Sequence, residues 1–212
     1  MFYPTVYLPA IIEAIEQSIN AHADEITLLD QTLGDGDHVS NLKRGIAALK
    51  AHSSEYPPLD WSGAWQKIGM TLMTQVGGAS GSLLGTLFIT LAKAGRGLEL
   101  DLKQFAQIFA QAVAAVKQRG KADAGEKTML DVLMPVSDYL IEAAMDSTEL
   151  AQLWPELLAI AEEGVESTRN MRATKGRASY LGERSLGHID AGAKTTQLII
   201  NAIVRILSTT DD

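Results

Sequence analysis

With 212 residues, a formal net charge of -8, 46% apolar and 21% charged residues, the chain has the make-up of a folded globular protein, not a disordered one. That length can bury roughly 70% of the unfolded surface in one domain or two small ones. The acid excess disfavours nucleic acid as a partner, no apolar run reaches the roughly 18 residues of a membrane span, and the absence of cysteine excludes disulfides and thiolate metal ligands.

The chain opens with MFYPTVYLPAIIEAIEQ, which has no basic residues ahead of its apolar ones and acquires acids early. It reads as a first helix, not an export signal, and together with the missing cysteines it sets a cytoplasmic expectation. Apolar residues then recur at helical spacing: Ile11, Ile12 and Ile15; Ile68, Leu72, Met73 and Val76; Phe105, Ile108, Phe109, Ala112, Val113 and Val116; and Leu198, Ile199, Ala202, Ile203 and Ile206. No stretch sustains the period-two alternation of a half-buried strand. The expectation is an all-α chain of eight or nine helices in a single domain spanning 1–212.

Breakers separate the helices at 33–38, 53–60, 76–81, 94–101, 119–128 and 145–150. Helix starts are signalled by Asp60 before WSGAWQ, Asp101 before LKQFAQ, and Ser147 or Thr148 before ELAQLW. Trp61 and Trp65, four apart, read as packing residues. One connection is unusually long: 174–194 carries Arg177, Tyr180, Glu183, Arg184, His188 and Asp190 without apolar periodicity, and loops of this length inside compact domains tend to be functional.

Chemistry concentrates in LGDGDH at 33–38. Asp35 and Asp37, with Asp30 just upstream, repel one another unless a proton or cation neutralises them, and an all-oxygen set selects hard ions. The EF-hand pattern fails, because its fifth and twelfth positions fall on Val39 and Ile46, so Mg2+ is favoured over a dedicated Ca2+ cage. Mg2+ takes few carboxylates and completes its shell with water and phosphate oxygens, which points to a phosphorylated ligand. The alternative is that Asp35 or Asp37 simply caps a helix running from about Val39. GGASG at 77–81 places backbone N–H groups at a helix N-terminus, where anions bind, with Ser80 and Ser82 adding hydroxyls; it could also be a tight turn in which Gly78 supplies a positive φ. No Walker motif is present. His38 could contact phosphate or metal, while Arg177 and Arg184 could reach phosphate or pair with Glu183.

Four segments in order, LDQTLGDGDHVSNLKRG, IGMTLMTQVGGASGSLLGTLF, RGKADAGEKTMLDVLMPV and KGRASYLGERSLGHIDAGA, resemble the L subunit of dihydroxyacetone kinase over nearly the whole chain. The resemblance implies a barrel of about eight antiparallel helices that binds ADP or ATP at one end through two Mg2+ ions. On that basis Asp30, Asp35 and Asp37 are the metal ligands; His38, Asn41, Gly78, Ala79, Ser80, Gly120, Met129 and Arg177 surround the nucleotide. Val39 stands where the family usually has glycine, and its β-branched side chain would hold the backbone further from a ligand.

The resemblance also implies that the chain is a phosphotransferase subunit, active only with others. Dihydroxyacetone would sit on a separate K subunit, and a phosphohistidine on an M-type phosphoprotein would recharge bound ADP in the phosphoenolpyruvate-dependent system of glycerol metabolism. Neither nucleic acid nor membrane is expected as a partner, and a homodimer is left open. The competing readings are an ATP-dependent subunit for a related ketose, a nucleotide-sensing regulatory module, and a helical Ca2+-binding protein.

Overall fold

A computed structural model describes residues 3–209. Its described residues form nine α-helices and no strand: α1 (Leu8–Ala21), α2 (Ala23–Leu33), α3 (His38–Ala51), α4 (Trp61–Gln75), α5 (Gly78–Ala94), α6 (Leu102–Gly120), α7 (Leu130–Met145), α8 (Leu150–Ser167) and α9 (Ala191–Ser208). The all-α expectation holds. None of these helices is long and apolar enough to cross a membrane.

Eight helices close into a ring. From α3 to α9 each packs against the next, and α1 sits between α3 and α9. Sequential neighbours run antiparallel, through short connections from α3 to α8 and through the longer 168–190 segment from α8 to α9, so α3, α5, α7 and α9 all begin at one end of the ring. The ninth helix, α2, lies across that end against α3, α9 and the 3-10 segment Arg177–Ser185.

Three apolar clusters hold the ring together. Leu42, Trp65, Ile68, Leu72, Leu87, Leu91, Val113 and Leu133 join α3 through α7; Val132, Val136, Leu140, Leu153, Leu157, Val165 and Val204 join α7, α8 and α9; Ile19, Ile26, Val39, Ile46 and Leu198 join α1, α2, α3 and α9. The stripes read from the sequence are largely these inner faces, with one exception: Met73 points outward at 42% exposure. Trp61 and Trp65 pack together with ring centroids 5.2 Å apart, as expected of packing residues.

Asp60 caps α4 by accepting from Gly63 N at 2.7 Å, and Asp101 forms a capping box with Gln104 on α6. The expected cap at Ser147 or Thr148 is not formed. Thr148 N donates instead to Ala143 O at 2.9 Å, closing the end of α7, and α8 starts after Glu149.

Candidate nucleotide and metal site

The ends of α2 and α6, the starts of α3, α5, α7 and α9, and the Arg177 end of the 3-10 segment enclose a cavity of about 490 Å³. Four helix N-termini at one cavity add partial positive charge, and α5 starts with no side chain capping its first N–H groups, the local requirement for an anion site. All eleven residues expected at the site line this cavity: Asp30, Asp35, Asp37, His38, Asn41, Gly78, Ala79, Ser80, Gly120, Met129 and Arg177.

The acids come together as follows. Asp30, in the last turn of α2, turns its carboxylate back across Gly34, where a Cβ would lie 2.3 Å from Oδ1 and displace it. Asp30 Oδ2 then accepts from His38 N at 3.0 Å and caps α3. The capping alternative for Asp35 or Asp37 is thereby corrected: Asp37 occupies the N-cap position, yet its side chain accepts no capping bond. One carboxylate oxygen from each of Asp30, Asp35 and Asp37 lies within 4.8 Å of the others, close enough to share a cation. In this structure Arg177 Nη2 partly fills that need at 2.9 Å from Asp35 Oδ2, in place of the expected alternative partner Glu183.

His38 bridges three helices. Thr195 Oγ1 donates its proton to Gly192 O at 3.0 Å, so the same oxygen accepts from His38 Nε2 at 3.1 Å. That leaves His38 Nδ1 as acceptor for the Ser80 hydroxyl at 3.2 Å. Burial pushes the His38 pKa down against the opposing pull of Asp30 and Asp37, which favours the neutral ring this chain of bonds requires. Asn41 is buried beside it, with Oδ1 accepting from Arg44 Nη2 at 2.7 Å.

The GGASG turn is both things the sequence allows. Gly78 has φ 67°, and α5 begins there with no side chain capping its first N–H groups. Val39 departs from expectation. It lies in the first turn of α3, buried against Ile19, Ile26 and Ile46, and does not line the cavity, so its side chain holds no backbone away from a ligand.

Residues 32–205 match the DAK2 domain. The chain belongs to the DAK2 domain family. The ADP-binding subunit DhaL of PEP-dependent dihydroxyacetone kinase 1 from Listeria innocua is 38% identical over 177 residues, 84% of each chain. The ADP-binding subunit DhaL from Escherichia coli is 37% identical over 185 residues, 87% of this chain and 88% of that one. The crystal structure of the dihydroxyacetone kinase of C. freundii superposes with a TM-score of 0.73 at 23% identity, over 97% of this chain. This chain spans 35% of that kinase, and the likeness speaks to the fold.

Several residues that shape this DAK2 cavity escaped the sequence reading. Asp131, almost fully buried, accepts from Gly125 N at 2.5 Å and Thr128 N at 2.7 Å and so folds the 123–129 loop. Asp190 caps α9 by accepting from Ala193 N at 2.8 Å, and burial pushes its carboxyl up to about 6 despite that bond and nearby Lys127. An acid before Ala-Gly-Ala at the start of an apolar stripe was the available signal for Asp190. Thr195, Asp131 and Lys127 carried none, because their partners are set by the fold. Arg184 lies outside the cavity lining, and His188 contributes its carbonyl rather than its ring.

Proposed function

We propose that the cavity holds ADP or ATP with Mg2+, and that this chain is the nucleotide-binding subunit of a dihydroxyacetone kinase. One observation carries the reading: four helix N-termini and a three-carboxylate cluster face a single cavity. The N-termini call for phosphate and the carboxylates for a cation, and a metal–nucleotide complex satisfies both. The names of the Listeria and Escherichia relatives as ADP-binding subunits support it, as does the C. freundii kinase structure in complex with AMP-PNP and Mg2+.

Asp30, Asp35 and Asp37 would hold the metal, two ions in the expected arrangement. Bound Mg2+ supplies charge neutralisation for the phosphoryl group, which is most of what phosphoryl transfer asks of a protein. The N–H groups of Gly78, Ala79 and Ser80 bind phosphate oxygens, and His38 holds the Ser80 hydroxyl in one orientation. Arg177 exchanges Asp35 for phosphate. Gly120 and Met129 flank the base. Dihydroxyacetone is presented by a K subunit, and a phosphohistidine M-type protein of the cytoplasmic phosphoenolpyruvate-dependent system recharges ADP that stays bound.

The test is to purify the protein without added nucleotide, denature it, and identify the released nucleotide and metal. Stoichiometric ADP with Mg2+ is expected, with both lost in Asp37→Ala while helical circular dichroism is unchanged. Wild-type protein that binds neither ADP nor ATP in calorimetry with Mg2+ would overturn the reading. A second reading, an ATP-exchanging kinase for a related ketose, is favoured by 30% identity to the L-erythrulose kinase of Pectobacterium atrosepticum, of which this chain spans 34%. Fast, reversible ATP binding without retained ADP would select it.

A further inference from the structure

Lys127 combines two unfavourable features at one residue. It is 2% exposed, and its backbone is left-handed at φ 62° without being glycine. Buried ammonium groups and non-glycine residues in that region persist only where their surroundings hold them in place, and they cluster at functional sites. The surroundings here are specific. Asp131 folds the loop on either side of Lys127, and Glu126 ties the same loop outward by accepting from Thr174 Oγ1 at 2.7 Å and pairing with Lys175 at 3.3 Å.

The ammonium joins two remote points. Lys127 Nζ donates to Thr168 O at 2.6 Å, at the end of α8, and to His188 O, just before α9. Between those carbonyls runs the segment that carries Arg177 over the acids. The segment is also closed on itself: Gly187 N donates to Arg169 O at 2.8 Å and Asp190 N to Thr168 Oγ1 at 2.9 Å. A single cation therefore fastens both ends of the segment to the start of α7, beside the cavity that it lines.

We propose that Lys127 is a positioning residue that pins the 168–190 segment over the cavity and thereby sets how long a bound nucleotide stays. This rests on the nucleotide reading above. The ammonium has the number of donors the task needs, because a side chain of equal bulk without N–H groups would leave Thr168 O with Met171 N alone and take this donor from His188 O, releasing both tethers at once. Arginine keeps the charge and several donors, so it is the conservative replacement. Burial and nearby Arg169 lower the Lys127 pKa while Asp190 and Asp131 oppose the shift, so the two carbonyl acceptors and these acids hold the cation against the cost of its burial.

The test compares wild type, Lys127→Met and Lys127→Arg by the off-rate of a fluorescent ADP analogue with Mg2+ and by amide hydrogen exchange of the nucleotide-free proteins. Lys127→Met is expected to raise the off-rate at least tenfold and to speed exchange across 172–188 while α4 and α5 stay protected. Lys127→Arg is expected to recover most of both. A Lys127→Met protein with the wild-type off-rate, one that unfolds, or one that exchanges faster in every helix alike would overturn the assignment. Wild-type protein that fails to bind Mg2+ and ADP would instead overturn the nucleotide reading, and the exchange pattern would still decide whether Lys127 pins the segment.

Discussion

Where α4 meets α5 the two backbones nearly touch: a Cβ on Gly69 would fall 2.9 Å from Ile89 N and 3.1 Å from Gly85 O, and one on Gly85 would fall 2.9 Å from Met73 Cβ. At the mouth of the barrel, by contrast, the 121–129 and 168–190 segments are held by polar side chains bonded to backbone groups, Asp131 to its own loop and Lys127 and Thr168 to groups 41 and 22 residues away. The wall is stabilised by close packing, which tolerates no added volume. The mouth is stabilised by hydrogen bonds, whose value lies in geometry more than in free energy, since each contributes only about 1 kcal/mol net. Damage to the wall should therefore appear as lost stability with binding retained, and damage to the mouth as lost binding with stability largely retained.

The sharpest break of the wall is Gly69→Val. Its side chain meets the α5 backbone at Gly85 and Ile89, so the two helices must separate, and a loss of about 3 kcal/mol is expected at the upper end of overpacking costs. In a chain of this size that lowers the melting temperature by roughly 6–12 °C. Nucleotide affinity of the folded fraction, measured below the transition, should match wild type.

Val39→Gly tests which region Val39 belongs to. As a wall residue buried against Ile19, Ile26 and Ile46, its removal should cost about 2 kcal/mol through lost burial and a looser first turn of α3. Were it a mouth residue, the glycine would tighten nucleotide binding. Unchanged affinity with a lower melting temperature is the expected pair of results; tighter binding in calorimetry would place Val39 in the site.

Asp101→Ala removes the carboxylate that accepts from Gln104 N, the side-chain half of the capping box on α6, and should lower stability by about 1 kcal/mol, seen as a shift in denaturant midpoint at constant slope. Asp101 lies at the opposite end of α6 from Gly120, so the off-rate of nucleotide should not move. A changed off-rate would mean that the wall and the mouth are coupled through α6.

The same division governs what could be read from the sequence. Wall helices announce themselves because their inner faces repeat locally, as at Ile68 and Leu72 or Leu198 and Ala202, and because Asp60 and Asp101 cap the turn that follows them. Met73 fits the same stripe yet points outward, since the stripe's width is decided by how closely α5 approaches. The acids and GGASG were legible for a related reason: their meaning lies within a few residues of each other. Lys127 and Thr168 are 41 residues apart, and His38 and Thr195 are 157 apart, so nothing in either neighbourhood marks the bond. Even at LGDGDH the local reading offered only Asp35 or Asp37 as the alternative cap. The fold instead lets Asp30 cap α3 from the preceding helix and leaves the other two carboxylates facing the cavity.

The last test concerns Asp190, and it bears on whether the mouth adds anything to stability that depends on pH. Its carboxyl titrates at about 6 in the folded protein against an ordinary value of 3.8, because burial outweighs the Ala193 N–H and Lys127. Between those values the folded state binds the extra proton, so stability from this group is fully present below about 3.8 and is lost as pH rises through about 6. Asparagine caps a helix as well as aspartate does and carries no charge to bury, so Asp190→Asn keeps the bond to Ala193 and removes the titration. Carboxylates such as Glu126, held low by Thr174, act in the opposite sense, which makes the difference between the two proteins the informative quantity. Relative to Asp190→Asn, wild type should lose roughly 4–8 °C in melting temperature between pH 4.5 and pH 7.5. A difference that stays constant would mean that Lys127 fully compensates the buried carboxylate, and the two would then behave as a fixed ion pair at the mouth.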